Sequence, residues 1–298
     1  MSELADLIER HCRPGYIPSA IPRVTLSHAD ACTSGVPVIY HPLFCVLASG
    51  RKELLIGTEP LRYGPDHYLI ASSDLPVRGT IVEAPCLGFT LTLDPAILSE
   101  IVLTMPEADP APPPSRTLTV EPLDDTLRDA VLRLLRLLDR PADIPVMAPL
   151  LEREILYRLL LGPRGAMLRQ LTLPQSRLSQ IRRAIDLIRR DFEKPLRIHE
   201  LARVAGMSVS SFHRHFRAIT SVSPLQFQKH LRLHEARRRL ISEAADAANV
   251  AFDVGYQSPS QFSREYRRLF GLPPTRDAAR AREALRSGET RSSTVVSA

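Results

Sequence analysis

The chain has 298 residues, 44% hydrophobic and 24% charged, which is enough for about two globular domains with their own cores. That balance excludes a disordered or fibrous chain, and no apolar run reaches the ~18–20 residues of a membrane span. The net charge of +6 is unevenly placed: residues 176–286 hold 22 Lys+Arg against 11 Asp+Glu, whereas residues 1–175 hold 16 against 21. A basic final third on an acidic body calls for a polyanionic partner.

The opening stretch MSELADLIERHCRPG carries acids early and lacks the basic-then-apolar order of a secretory signal. A cytoplasmic protein with no membrane partner is expected. Cys12, Cys32, Cys45 and Cys86 form no CxxC pair and read most simply as buried or idle thiols, with a redox or electrophile sensor as the sharper alternative. From about 37 to 93 come short strand-like segments punctuated by Gly, Pro and Asp: PLFCVLASG, KELLIG, HYLIASS, RGTIVEA and LGFTLTLD. The last alternates Leu87, Phe89, Leu91 and Leu93 on one face with Gly88, Thr90 and Thr92 on the other. Together they predict a small sheet or barrel.

The proline-rich MPEADPAPPPSR at 105–116 predicts a linker or surface loop. A helix follows in DDTLRDAVLRLLRLLDR, with Leu127, Val131, Leu134, Leu135 and Leu138 in one stripe. A second helix, around 148–161, stops at Gly162-Pro163. Two such leucine-rich helices suit either packing on the sheet or a dimer seam. Residues 176–286 read as helix with tight turns, and SGETRSSTVVSA at 287–298 as a disordered tail. The division expected is 1–122, a helical pair and linker over 123–175, a helical domain over 176–286, and the tail.

An internal repeat with a spacing of 49–50 residues occupies the helical domain. LARVAG (Leu201–Gly206) matches VAFDVG (Val250–Gly255), and each is followed by a serine, Ser208 or Ser258. From that serine an aromatic stands at +4 and another at +8, namely Phe212 and Phe216, then Phe262 and Tyr266. Small Ala for a close helix crossing, Gly for a sharp turn and an aromatic face on the next helix make a helix-turn-helix unit. SPLQF and SPSQF each place a serine cap, a proline at the first turn and a glutamine three residues on, the pattern of a capping box. Arg197 stands where a capping Ser or Thr is expected, so that helix start is left to fray.

With the aromatics inward, Ser210, His213, Arg214 and Arg217 face out in the first copy, and Ser260, Gln261, Arg264, Arg267 and Arg268 in the second. Short polar donors near a helix start with arginines behind them suit a major groove. The intervening helix, Pro224–Ile241, spans about 27 Å, the scale that sets two probes one turn of B-DNA apart.

The segment MSVSSFHRHFRAITSVSPLQFQKHLRLHEARRRL, continued by VAFDVGYQSPSQFSREYRRLFGLPP, closely resembles the DNA-binding domain of AraC/XylS transcription regulators over roughly residues 178–284. Two departures are Ser221, where the family often has Gly, and LPPTRD in place of its usual ending. The stretch from GVPVIYHPLFCVLASG to LTLDPAIL is similar to the cupin-like sensor domain of one branch. The resemblance implies an α+β protein of two domains, a cupin-like β-barrel with a helical appendage and an all-α bipartite helix-turn-helix domain of seven helices. It implies base contacts from Ser210, His213, Arg214, Ser260, Gln261 and Arg264, with phosphate contacts from Ser208, Arg217, Lys229, Ser258, Arg267 and Arg268.

An effector site is expected among polar strand residues, His41, Cys45, His67 and Tyr68. His41 and His67 are isolated, and His230 and His234, four apart, lack a third ligand, so no metal or cofactor is expected. The expected partners are double-stranded DNA, a small-molecule effector, RNA polymerase if the regulator activates, and a second copy of the chain. The competing readings are an enzyme tethered to DNA and a non-specific architectural binder. Against the enzyme, the front half shows no paired carboxylates, nucleophile–base pair or Gly-rich phosphate loop.

Overall fold

The computed structural model describes residues 2–56, 59–106, 117–173, 176–243 and 245–286. Most of the linker expected at 105–116, and the whole tail at 287–298, lie outside the described residues. The chain opens with helix α1 (Glu3–His11), capped by the Ser2 hydroxyl and burying Leu4, Leu7 and Ile8. Eight antiparallel strands follow: β1 (Gly15–Pro18), β2 (Val24–Ala29), β3 (Val36–Tyr40), β4 (Leu43–Ile56), β5 (Glu59–Tyr63), β6 (His67–Ala71), β7 (Leu75–Thr92) and β8 (Leu118–Pro122).

β4 and β7 are long, bent, and shared by two layers. One layer runs β1-β2-β7-β4-β6-β8; in the other, β3 adds to the first half of β7 and β5 to the second half of β4. PLFCVLASG and KELLIG are therefore one strand, as are RGTIVEA and LGFTLTLD. The corner of β4 is Gly50 at φ +75°, where a Cβ would stand 2.5 Å from the Glu83 carbonyl oxygen and 2.8 Å from Cys86 Cα. Only glycine fits there, and the register shifts beside it.

Between the layers lie Leu43, Cys45, Leu47, Leu54, Tyr63, Leu69, Val77, Ile81 and Cys86. The opposite face of the first layer carries Leu26, Phe44, Val46, Tyr68, Ile70, Phe89 and Leu91. It is covered by α1, α2 (Pro95–Thr104), α3 (Asp125–Arg136) and α4 (Ile144–Leu161). Leu127, Val131, Leu134 and Leu135 of the expected stripe are buried on α3, and Leu138 is buried in the 3-10 turn that follows it. One face of α4 joins this core, while Val146, Leu150, Tyr157 and Leu161 on another face are exposed. Short α5 (Gly165–Arg169) completes the cover.

Seven helices are described over 176–286: α6 (Arg177–Arg190), α7 (Ile198–Val204), α8 (Val209–Thr220), α9 (Pro224–Ser242), α10 (Ala247–Asp253), α11 (Pro259–Phe270) and α12 (Pro274–Arg286). Two cores sit side by side, one built on Phe212, Phe216 and Phe227, the other on Phe262, Tyr266 and Leu240. No helix among the described residues is long and apolar enough to cross a membrane.

Candidate nucleic-acid interface

The two repeat copies fold alike down to single hydrogen bonds. Gly206 and Gly255 take positive φ, +66° and +92°, and the next N–H donates back to Ala202 or Ala251 at 2.9 Å in both. Ser208 and Ser258 then cap α8 and α11. Phe212 and Phe216 contact each other at 5.4 Å between ring centres, and Phe262 and Tyr266 at 5.5 Å. Ser221 closes α8 in the left-handed region at φ 62°, the place Gly271 fills after α11 at φ 84°. The family's glycine is thus replaced at a strained position rather than a neutral one. Arg197 makes no side-chain cap at the start of α7.

With the aromatic faces buried, Ser210, His213, Arg214 and Arg217 of α8 are exposed, as are Ser260, Gln261, Arg264, Arg267 and Arg268 of α11. The capping boxes differ. Ser223 and Gln226 complete theirs at the start of α9. At α11 Ser258 accepts the Gln261 N–H, but the Gln261 side chain turns to Glu265 at 3.1 Å. Glu265 also accepts from Lys229 Nζ at 2.7 Å and the Tyr256 hydroxyl at 2.9 Å. Lys229 is consequently held in an ion pair between the two halves instead of standing free for phosphate.

Helix α9, 19 residues and about 28 Å long, carries both units. Arg232 donates to the carbonyls of Phe192, Gly255 and Lys194, tying the loop before α7 to the second turn. Arg237 and the Tyr266 hydroxyl meet on Asp277, at 2.7 and 2.8 Å, which locks α12 to α9 and α11. These charge-assisted bonds hold the two probes to one rod.

Among the described residues, polar side chains of the N-terminal domain meet this assembly at three points that the sequence does not announce. Buried Asp74 pairs with Arg189 of α6 and with His41. Thr117 Oγ1 donates to the Ile219 carbonyl at 2.9 Å, with Ser73 Oγ at 3.5 Å. Arg78 Nη2 donates to the Leu269 carbonyl at 3.2 Å. Ile219 and Leu269 occupy equivalent positions in the two repeat copies, fifty residues apart, each at the C-terminal end of its helix.

The four residues expected to line an effector site do not come together. Cys45 points between the layers, with its Sγ 3.7 Å from the Tyr63 hydroxyl. Tyr68 pairs with Val46 and faces the helices, against Phe44. His67 is exposed at the start of β6. His41 belongs to the domain junction. Tyr68 differs from Cys45 because strand side chains alternate: Cys45 and its partner Leu69 face inward, their neighbours outward. His234 meets the edge of Phe270 and is pushed by burial to about 3, as a histidine among aromatics should be. Among the described residues no group of three or more His, Cys, Asp or Glu could hold a metal ion.

Family comparison accords with this architecture. Residues 20–167 match the model described as the AraC-type transcriptional regulator N-terminus, and residues 201–290 match a helix-turn-helix domain model. The chain belongs to the AraC/XylS family of transcription regulators. It is 26% identical to ExsA of Pseudomonas aeruginosa over 132 residues, 44% of this chain and 47% of that protein. It is 26% identical to the virulence regulon activator VirF of Yersinia enterocolitica over 170 residues, 55% of this chain and 59% of that one. The chain thus spans about half the length of the curated relatives it matches. Its fold is that of ToxT from Vibrio cholerae, at TM-score 0.61 and 8% identity over 88% of this chain and 99% of that one. ToxT is also known with an unsaturated fatty acid bound, at TM-score 0.57, 10% identity, and 85% and 92% coverage.

Proposed function

We propose that this AraC/XylS member is a sequence-specific DNA-binding transcription regulator in which an effector at the N-terminal domain changes how the C-terminal domain engages its site. The carrying observation is the pair of exposed faces, Ser210, His213 and Arg214 on α8 and Ser260, Gln261 and Arg264 on α11, backed by buried aromatics on one rod. In this reading those six residues contact bases, Arg forking onto guanine and Gln261 pairing with adenine once released from Glu265. Ser208, Arg217, Ser258, Arg267 and Arg268 contact phosphates, and Lys229 joins them if Glu265 gives it up. The effector reading rests on the AraC-type N-terminal match and on ToxT, whose fold is shared and which takes a fatty acid. RNA polymerase is a partner where the regulator activates, and the cytoplasm is its place.

A homodimer through α4 belongs to the same proposal. Val146, Leu150, Tyr157 and Leu161 fall within one narrow arc of that helix, exposed although apolar. The deciding experiment is a titration of Arg214→Ala and Arg264→Ala against a DNA site selected on the wild type. Each should cost about 1–3 kcal/mol and relax specificity at its own position. Wild-type affinity in both variants would remove the basis of the reading, and equal affinity for scrambled DNA at physiological salt would favour the architectural alternative.

A further inference from the structure

Two residues that the reading above sends to DNA are held in the free protein by one carboxylate. Glu265 stands a turn after Gln261 on α11. Among the described residues three donors meet on it: Lys229 Nζ at 2.7 Å and Gln261 Nε2 at 3.1 Å on one oxygen, the Tyr256 hydroxyl at 2.9 Å on the other. Tyr256 is buried against Phe262, with the Arg232 guanidinium over its ring, which fixes that end of the network. The Lys229 end lies nearer water, with 34% of its side chain exposed against 19% for Glu265. Burial pushes the Glu265 carboxyl up, but the bonds from Lys229, Gln261 and Tyr256 outweigh it and hold it below the usual carboxylate range. It is therefore ionised near pH 7 and accepts only.

Such a carboxylate and a DNA site call on the same groups. Phosphate oxygens compete for the Lys229 ammonium, and adenine competes for the Gln261 amide. An amide facing a carboxylate keeps Nε2 toward it, whereas adenine takes an N–H at N7 and gives one to the amide oxygen from N6. The repeat does not require this arrangement. Fifty residues earlier Ser211 and His215 occupy the places of Gln261 and Glu265, so the first copy has no carboxylate there. The restraint falls on the second unit and on Lys229.

We propose that Glu265 is an internal competitor for DNA, whose bond to Lys229 breaks on any DNA and whose bond to Gln261 breaks on a site with adenine at that position. A wrong base leaves the amide on Glu265 at no cost, whereas adenine must displace it. Glu265 therefore lowers affinity for every sequence and narrows the preference for adenine, the reverse of a residue that sharpens a reading face. Displacement does not leave the carboxylate bare, because the Tyr256 hydroxyl still donates to it and the Arg232 charge acts beside it. The inference rests on the regulator reading above and adds a residue that sets the strength and selectivity of the contact.

The test is a double-mutant cycle on DNA binding by the full chain, with Glu265→Gln, Lys229→Met, Gln261→Ala and the two double variants that contain Glu265→Gln. Glu265→Gln alone should bind selected and scrambled DNA about two- to fivefold tighter, the worth of a released surface pair. Lys229→Met should cost about two- to fivefold more in the Glu265→Gln background than in the wild type. At the base pair where Gln261→Ala relaxes specificity, Glu265→Gln should widen the preference for adenine by about twofold. The proposal is overturned if Lys229→Met and Gln261→Ala each cost the same in both backgrounds, since the bonds then survive in the complex. Weaker binding by Glu265→Gln overturns it too, as does an unfolded variant, because the carboxylate is then a brace between the two halves. A wild type with no preference for any selected sequence strikes the sequence-specific reading instead, and the Lys229 cycle on scrambled DNA still decides whether Glu265 competes.

Discussion

Arg189→Met tests how the two domains hold each other. Asp74 keeps 4% of its side chain exposed, and its partners among the described residues are Arg189 and His41. Removing the guanidinium leaves the carboxylate facing an imidazole in a dry junction. Breaking a fully buried pair costs about 3–5 kcal/mol. Arg189 keeps 32% of its side chain in water, so screening brings the expectation to about 2–3 kcal/mol. Asp74 precedes β7 and Arg189 ends α6, so that free energy falls on the docking of one domain against the other. Urea unfolding of the full chain should show a lowered midpoint with the two domains melting further apart. Protease should also cut faster between α5 and α6. The double variant Arg189→Met/Asp74→Leu should recover most of the loss, since no charge is then left buried. A cost under about 0.5 kcal/mol for Arg189→Met, the range of ordinary surface changes, would refute the claim that this contact docks the domains.

Two further outcomes follow from the same structure. Burial, with the Arg268 and Arg78 charges, holds His230 at about 4, and burial, with His230 and Arg237, holds His234 at about 3. Both stay neutral when folded and take protons near pH 6.5 when unfolded, so stability is full above that pH and falls as pH drops toward 4, by about 3 kcal/mol for His230 alone. Thermal melts across that window should show the slope, and His230→Phe should flatten it; an unchanged slope would put the titration elsewhere. Leu150→Glu should turn a dimer into a monomer by sedimentation, and a wild type already monomeric at micromolar concentration would dispose of the α4 seam.

The C-terminal domain was legible because its determinants are local. Aromatics four apart, a left-handed glycine and a capping serine each act within a turn or two, and the fifty-residue spacing repeats them. The sheet was legible only in pieces, since its partners are distant in sequence. Gly50 reads as the end of a strand, yet it is the corner of one, and Pro85 splits β7 on paper in the same way. The direction in which the four effector candidates point was not legible: in a strand one step exchanges the interlayer space for the helix-covered face, which is the difference between Cys45 and Tyr68.

Nothing local could announce the junction, where side chains from residues 73–117 meet carbonyls at 219 and 269. Its placement nonetheless has a physical logic. The last carbonyls of a helix lack intrahelical partners and carry the negative end of its dipole, so they are ready acceptors for a hydroxyl or a guanidinium. Thr117 and Arg78 take those acceptors at matching positions of α8 and α11. The N-terminal halves of the same helices, with Ser210, Arg214, Gln261 and Arg264, stay exposed. Contact at the C-terminal end of each helix leaves its exposed N-terminal face open. Under the proposed function, a displacement of the sheet would change the relation between the two faces rather than uncover them, and affinity for a DNA site of fixed spacing would respond to that relation.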